Sequence, residues 1–253
     1  MDTRFWGPSA WRLLHLITFA YDPETQKKDV EQLFKNLPYI LPCKYCRKHL
    51  AGHMEKFPLT EDVLKDAESL SRWLWNVHNA VNDMLHKKDP NPSYEAVAKI
   101  YKERLERGCS RVEFEGWDFL FSVVENHPFT HALRSSTPIE GAPKKAKRAL
   151  TRNKWNMMRS RERFPFYKNF WMSLGKSLPF EEWRSAWAAC EMKEGAMKSR
   201  GALIHELWRI RKCLEKKLDL INKESFELVC KRLETFCVSK PRGRKLTRRK
   251  RIV

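Results

Sequence analysis

Apolar residues recur at three- and four-residue intervals along most of this chain, the spacing that gives a helix one buried face, and the elements it predicts are all helical. A first helix, capped by Ser9 or its neighbours, runs to about Tyr21 with Trp11 and His15 one turn apart, and Asp22-Pro23 ends it. A second spans Pro23 to about Leu37, with Val30, Leu33 and Phe34 on its inner face. The connection Pro38 to Pro42 leads into a third helix that ends near Phe57-Pro58. The stretch Leu64 to Lys87 carries a wide apolar face: Leu70, Trp73, Leu74, Val77, Val81, Met84 and Leu85. Pro90-Asn91-Pro92 closes it, and a shorter helix follows from Ser93-Tyr94 to about Arg107, before Gly108. Short connections between such helices predict a four-helix bundle with one extra short helix.

From Arg111 the character changes. Val112 to Val124 reads as another helix, and His127 to Pro143, rich in Pro, Ser, Thr and Gly, reads as a linker. A basic, aromatic-bearing run from Lys144 to Arg163 holds Trp155. Leu178 to Lys193, Ala202 to Leu220 and Glu224 to Phe236 then predict a second all-helical unit, so the chain divides into 1–110, 111–239 and a basic tail at 240–253.

Composition narrows the functional classes. A chain of 253 residues, 42% of them hydrophobic, can bury one sizeable core or two small ones. A formal charge of +19 draws it towards nucleic acid, anionic membrane or acidic partners without choosing among them. The tail from Lys240 to Arg251 is suited to neutralising phosphates, and equally to remaining solvated or acting as a localisation signal. No stretch reaches the length of a membrane span. The run Leu13 to Ala20, interrupted by His15, reads as a core helix and not as a secretion signal. Seven cysteines are too few for a disulfide scaffold and odd in number. Cys230 and Cys237 on one helix have backbones about 10 Å apart, beyond the roughly 7 Å a disulfide spans. Cys109, Cys190 and Cys213 have no near neighbour in sequence to pair with.

The chemistry concentrates at Cys43-Lys44-Tyr45-Cys46. Pro42 suits the first turn of a helix, which puts Cys43 at or beside a helix N-terminus, where unpaired N–H groups and the dipole favour a thiolate. Lys44, Arg47 and Lys48 add positive field, and three-residue spacing puts both sulfurs on one face. An exchangeable redox pair is one reading. Zinc is a second, since His49 and His53 extend the run, although on one helix its outer members lie about 15 Å apart, too far to share a tetrahedral ion. Two ordinary buried cysteines are a third. His78, Asn79 and Asn82 lie inside the long helix, where asparagine is a poor helix former. Each singly suits a satisfied polar core position; three in five residues, near a dithiol, look like a hydrogen-bonding edge for a heteroaromatic ligand.

Together, Trp11-Arg-Leu-Leu-His15, Cys43-x-x-Cys46 and His78-Asn79-x-Val81-Asn82, closing on Leu85-x-Lys87, resemble in order and spacing the signature of the Erv/ALR flavin-dependent sulfhydryl oxidases. The resemblance covers about the first hundred residues and is strongest to forms encoded by large DNA viruses. It implies FAD as cofactor, with Gly7, Trp11, His15, Cys46, His78, Asn79, Val81, Asn82, Leu85, Lys87 and Lys88 around it. It implies Cys43 and Cys46 as the catalytic pair, thiol-bearing protein substrates, molecular oxygen as acceptor and a homodimer, and it calls for no metal. A viral origin implies the host cytoplasm or the virion. Tyr94 stands where the family often has a structural cysteine, so Cys109 is expected to lack that partner. A basic helical nucleic-acid-binding protein and a zinc-stabilised interaction protein remain as other classes.

Overall fold

The computed structural model describes residues 2–86, 89–112, 114–130 and 158–237, with residues 236 and 237 described by backbone alone. Among them are ten α-helices and no strand. They are α1 (Thr3–Phe19), α2 (Pro23–Ile40), α3 (Lys44–Lys56), α4 (Ala67–Met84), α5 (Tyr94–Glu106), α6 (Trp117–Glu125), α7 (Ser160–Leu174), α8 (Glu181–Cys190), α9 (Arg200–Lys217) and α10 (Phe226–Cys237). The all-helical fold class follows. Most of the 127–143 linker, the basic run up to residue 157 and the 240–253 tail lie outside the described residues.

The helices of the first half arise where the apolar spacing predicts them, but their ends differ. α1 begins at Thr3 because Asp2 accepts from the Arg4 N–H at 2.9 Å and because Trp6 gains burial against Phe119. Ser9 therefore caps another helix: its Oγ accepts the Phe119 N–H of α6 at 3.3 Å. α2 continues through Pro38 to Ile40, since Leu37, Pro38 and Ile40 are all buried and their packing outweighs the hydrogen bond that proline removes. Pro42 consequently precedes α3 instead of occupying its first turn, and Cys43 is the N-cap. Leu64 belongs to a 3-10 turn, Val63–Lys65, and Asp66 starts α4 by accepting from the Ser69 N–H at 2.7 Å.

In the second half, α6 begins at Trp117 and not at Val112. Gly116, at φ 103°, breaks the backbone there, and the Arg111 and Val112 carbonyls accept from the Ile221 and Asn222 N–H groups. α7 begins within the run read as basic and aromatic-bearing. Its start is fixed by Glu162, whose carboxylate accepts the Arg159 N–H at 2.8 Å, while Pro165 and two arginines, Arg161 and Arg163, dilute its apolar pattern.

α1 packs on α4, α5 and α6, whereas α2 packs on α3 and, along most of its length, on α7. One apolar cluster runs from Trp6 through Phe34, Trp73 and Phe119 to Trp171, Trp183 and Leu233. The 111–237 segment thus shares its core with the bundle. No helix among the described residues is long and apolar enough to cross a membrane.

Cys190 and Cys213, which have no near neighbour in sequence, form a disulfide joining α8 to α9 across 23 positions. Closing a loop of that size restricts the unfolded chain, so replacing both cysteines with Ala should lower the unfolding free energy by about 3 kcal/mol. Urea denaturation of the double variant checks this; a loss below about 1 kcal/mol would show that the crosslink adds little to the surrounding packing.

Candidate functional site

The path from α2 to α3 is set by its ends. Leu41 is buried and extended, its carbonyl accepts from Arg47 Nη1 at 2.6 Å, and Cys43 then caps α3 by accepting the Cys46 N–H at 3.4 Å. Both cysteines are half-buried and unbonded, which is the dithiol form. The Cys46 thiol donates to Cys43, and together with the Cys46 and Tyr45 N–H groups it outweighs burial and lowers the Cys43 pKa to about 5. The same hydrogen bond, burial and the charge on Cys43 push the Cys46 thiol up. The pair thus holds one negative charge, on Cys43, and one proton, on Cys46. Arg47 faces this charge, with burial lowering its pKa and the two sulfurs opposing that.

α3 packs on α4 and α4 on α1, so the helix carrying the dithiol borders a wall built from the other two. Trp11 of α1 stacks flat on His78 of α4, with ring centroids 3.9 Å apart at 8°. His15, one turn after Trp11 and 2% exposed, places Nε2 3.0 Å from His78 Nδ1, so the two rings share one proton. Burial foremost, and the neighbouring His78, lower the His15 pKa to about 3, so this ring is neutral at physiological pH. Its Nδ1 is buried without a hydrogen-bond partner. Tyr101 of α5 stacks on His15 at 5.0 Å, and burial pushes its hydroxyl up to about 12.

The remaining candidates fall around this wall. Asn82 is buried, and its Nδ2 donates to Asn91 Oδ1 at 3.0 Å; Asn91 in turn donates to Asp83 at 2.7 Å, tying α4 to the loop that follows it. Asn79 and Val81 are half-buried on α4, and Leu85 caps it, 58% exposed. Gly7 faces open space, where an added Cβ would meet nothing within 4 Å. Lys87 and Lys88 lie outside the described residues. Tyr101 and Arg47 are new members. Only the seven-residue spacing of Tyr94 and Tyr101 hinted at the first, and Arg47 was visible merely as one positive charge among several.

His49 and His53 share α3 with the dithiol, yet no three His, Cys, Asp or Glu side chains among the described residues converge as a metal cluster. A cavity of about 420 Å³, lined by Ser9, Arg12, Trp117, Asp118, Arg211 and Arg232 among others, includes none of the dithiol or wall residues. The guanidiniums of Arg211 and Arg232 in it are engaged with Glu215, Glu224 and Asp118, an ion-pair network between helices.

The family model described as Erv1 / Alr matches residues 8–105. The FAD-linked sulfhydryl oxidase of African swine fever virus (isolate Pig/Kenya/KEN-50/1950) is 34% identical over 118 residues, which are 46% of this chain and 92% of that protein. The chain belongs to the Erv1/Alr family. As a member it is also similar to the probable FAD-linked sulfhydryl oxidase of Acanthamoeba polyphaga mimivirus, 35% identical over 91 residues, 35% of this chain and 64% of the relative. It is 32% identical over 90 residues to the mitochondrial FAD-linked sulfhydryl oxidase of Saccharomyces cerevisiae, covering 34% of this chain and 46% of that one. No solved structure matches. The Erv1/Alr match takes in the dithiol and the whole Trp11–His15–His78 wall, and it ends before Gly108, so α6 to α10 lie outside the matched residues.

Proposed function

We propose that this protein is an FAD-linked thiol oxidase that forms disulfides in thiol-bearing protein substrates and passes the electrons to molecular oxygen, yielding hydrogen peroxide. The observation that carries the reading is the free Cys43–Cys46 pair, capping the start of a helix that borders a stacked indole–imidazole wall, all within the family-matched segment. The residues present fit a planar, polar-edged group. His15 Nδ1 is buried without a partner, the Trp11–His78 stack offers a flat face, and Gly7 leaves open space. In this reading Trp11, His15 and His78 wall the cofactor, Asn79 and Asn82 meet its polar edge, Val81 and Leu85 its apolar surface, and Lys87 and Lys88 its phosphates.

In the oxidised pair, a substrate thiolate attacks Cys43 Sγ and breaks the Cys43–Cys46 bond, leaving the charge on Cys46. A second substrate thiolate attacks the substrate sulfur of the mixed disulfide, so the substrate leaves oxidised and Cys43 leaves as a thiolate. One proton taken up at Cys46 gives the reduced pair, in which the raised Cys46 thiol keeps its proton and Cys43 the charge. Cys43 then serves as the base for Cys46: moving that proton to Cys43 Sγ places the negative charge on Cys46. FAD, when bound, would supply the two-electron acceptor and the chemistry that reduces oxygen. The neutral His15 adds no positive charge to compete with Arg47 for the thiolate.

The proposal extends to a protein of viral type acting in host cytoplasm or virion. α7 occupies one long face of α2, so a homodimer would form through other surfaces. Purified protein should be yellow and release flavin on denaturation, as its visible spectrum checks. A colourless, folded preparation that takes up no added FAD would overturn the reading.

A further inference from the structure

The two residues between the cysteines stand in solvent. Lys44 is exposed and the Tyr45 ring is 52% exposed, whereas Cys43 and Cys46 on either side of them are half-buried. Lys44 Nζ lies over the Tyr45 ring, 5.0 Å from its centroid, so charge and ring form one unit at the rim of the dithiol. Lys44 is also the first residue of α3, and the first turn of that helix holds no acidic residue, although the dipole there favours carboxylates and disfavours ammonium groups. Arg47 and Lys48 follow in the next turn, and the only carboxylate on α3 is Glu55, near its far end.

Covalent geometry brings a substrate onto this rim. A cysteine joined by a disulfide to Cys43 or Cys46 has its Cα about 4.4–6.8 Å from that residue's Cα. Neighbouring Cα atoms are about 3.8 Å apart, so the residues flanking the substrate cysteine come within reach of Lys44 and Tyr45, whichever sulfur is attacked. A carboxylate there meets the Lys44 ammonium, while a lysine there meets a like charge. One such pair at a surface changes an association by a few fold and is weakened by salt. Arg47, Lys48 and the chain's formal charge of +19 act in the same sense from further away.

We propose that Lys44, seated on the Tyr45 ring, is a specificity-determining residue that selects thiols in acidic surroundings, substrates whose cysteine has Asp or Glu beside it. The inference names the substrate class of the oxidase reading and rests on that reading for its use. The chemistry it serves is thiol–disulfide exchange. A substrate thiolate bonds to one sulfur of the Cys43–Cys46 disulfide as that bond breaks. A second substrate thiolate then releases the substrate as a disulfide, and two electrons stay on the pair. Lys44 acts on the encounter and on the mixed disulfide, through the charge beside the incoming sulfur.

The test is anaerobic exchange between the full chain, its Cys43–Cys46 pair first oxidised, and two peptides in excess, Gly-Asp-Cys-Asp-Gly and Gly-Lys-Cys-Lys-Gly. Reduction of the pair is followed by acid quench, alkylation and peptide mass mapping, and each rate is divided by the peptide's thiolate concentration. At low ionic strength the acidic peptide should react about tenfold faster, and in about 1 M salt only about twofold faster. Lys44→Glu should bring the ratio to about one, and a change in the sulfurs' own reactivity cancels because both peptides meet the same pair. Should that variant fail to fold, Lys44→Gln should lower the ratio about threefold. Tyr45→Ala, which keeps the charge and removes its seat, should lower it about twofold.

Lys176→Glu makes the same change in net charge at the other end of the bundle and should leave the ratio as it was. There Gln26 Nε2, near the start of α2, donates to the Lys176 carbonyl at 3.0 Å, whereas Phe166 of α7 stacks on Tyr39, four residues before Cys43. Equal rates at low salt, a ratio unmoved by Lys44→Glu, or one that Lys176→Glu moves as far would overturn the proposal; a ratio unmoved by Tyr45→Ala would remove the ring from it. Exchange needs neither flavin nor oxygen. A colourless chain that still prefers the acidic peptide therefore defeats the oxidase reading alone, and a yellow chain indifferent to peptide charge defeats this one alone.

Discussion

Cys46→Ser should abolish thiol oxidation, lowering turnover by on the order of a thousandfold or more, the scale on which losing a covalent participant is felt. The variant should still bind flavin. Cys46 reaches the wall only through the packing of α3 on α4, whereas Trp11, His15 and His78 hold their arrangement by stacking and by their shared proton. Serine cannot form the Cys43 disulfide, so a substrate thiolate finds no sulfur–sulfur bond to attack. The variant also makes a second prediction about charge. Part of what lowers Cys43 is the Cys46 S–H, and a serine hydroxyl can take over that donation while the Cys46 N–H still reaches Cys43. Cys43 should thus remain an anion near neutral pH even in the dead enzyme. Oxygen consumption with a dithiol substrate, alongside the visible spectrum, checks both halves, and full turnover by Cys46→Ser would remove the dithiol from the mechanism.

What the sequence disclosed and what it hid divide along physical lines. Trp11 with His15, and His78 among its asparagines, are legible because one turn of helix brings residues four apart together and because two such turns have no purely apolar reason to be polar. The dithiol is legible for the same local reason, although Cys43 proves to be a cap and not a first-turn residue. Non-local pairings left no trace: Cys190 finds Cys213 across 23 positions, Ser9 caps a helix more than a hundred residues away, and Tyr101 reaches His15 from the far side of two turns. α7 was hidden differently. Its buried residues Tyr167, Phe170, Trp171 and Leu174 do keep helical spacing, but Pro165 and the arginines around it dilute the pattern at the end nearest the dithiol.

Acidification should unfold this protein through His15. In the folded state burial lowers that imidazole to about 3, whereas in the unfolded chain it titrates near the ordinary value of 6.5. Above pH 6.5 both states are neutral at this residue, and stability does not depend on it. Between 6.5 and 3 the unfolded chain binds a proton that the folded one refuses, so stability falls by about 1.4 kcal/mol per pH unit, or roughly 3 kcal/mol by pH 4. Below about 3 both states are protonated and the dependence levels off. The ring cannot escape the penalty by turning outward: it is 2% exposed, stacked on Tyr101 and locked to His78, whose own ring is pressed against Trp11. His15→Gln retains an N–H and an acceptor but no titrating group, so urea denaturation from pH 7 to 4 should show a flatter profile for the variant than for the unmodified chain. Parallel profiles would mean that His15 takes up its proton in the folded protein, and a charged imidazole would then stand in the wall assigned to the cofactor, opposing Arg47 for the thiolate.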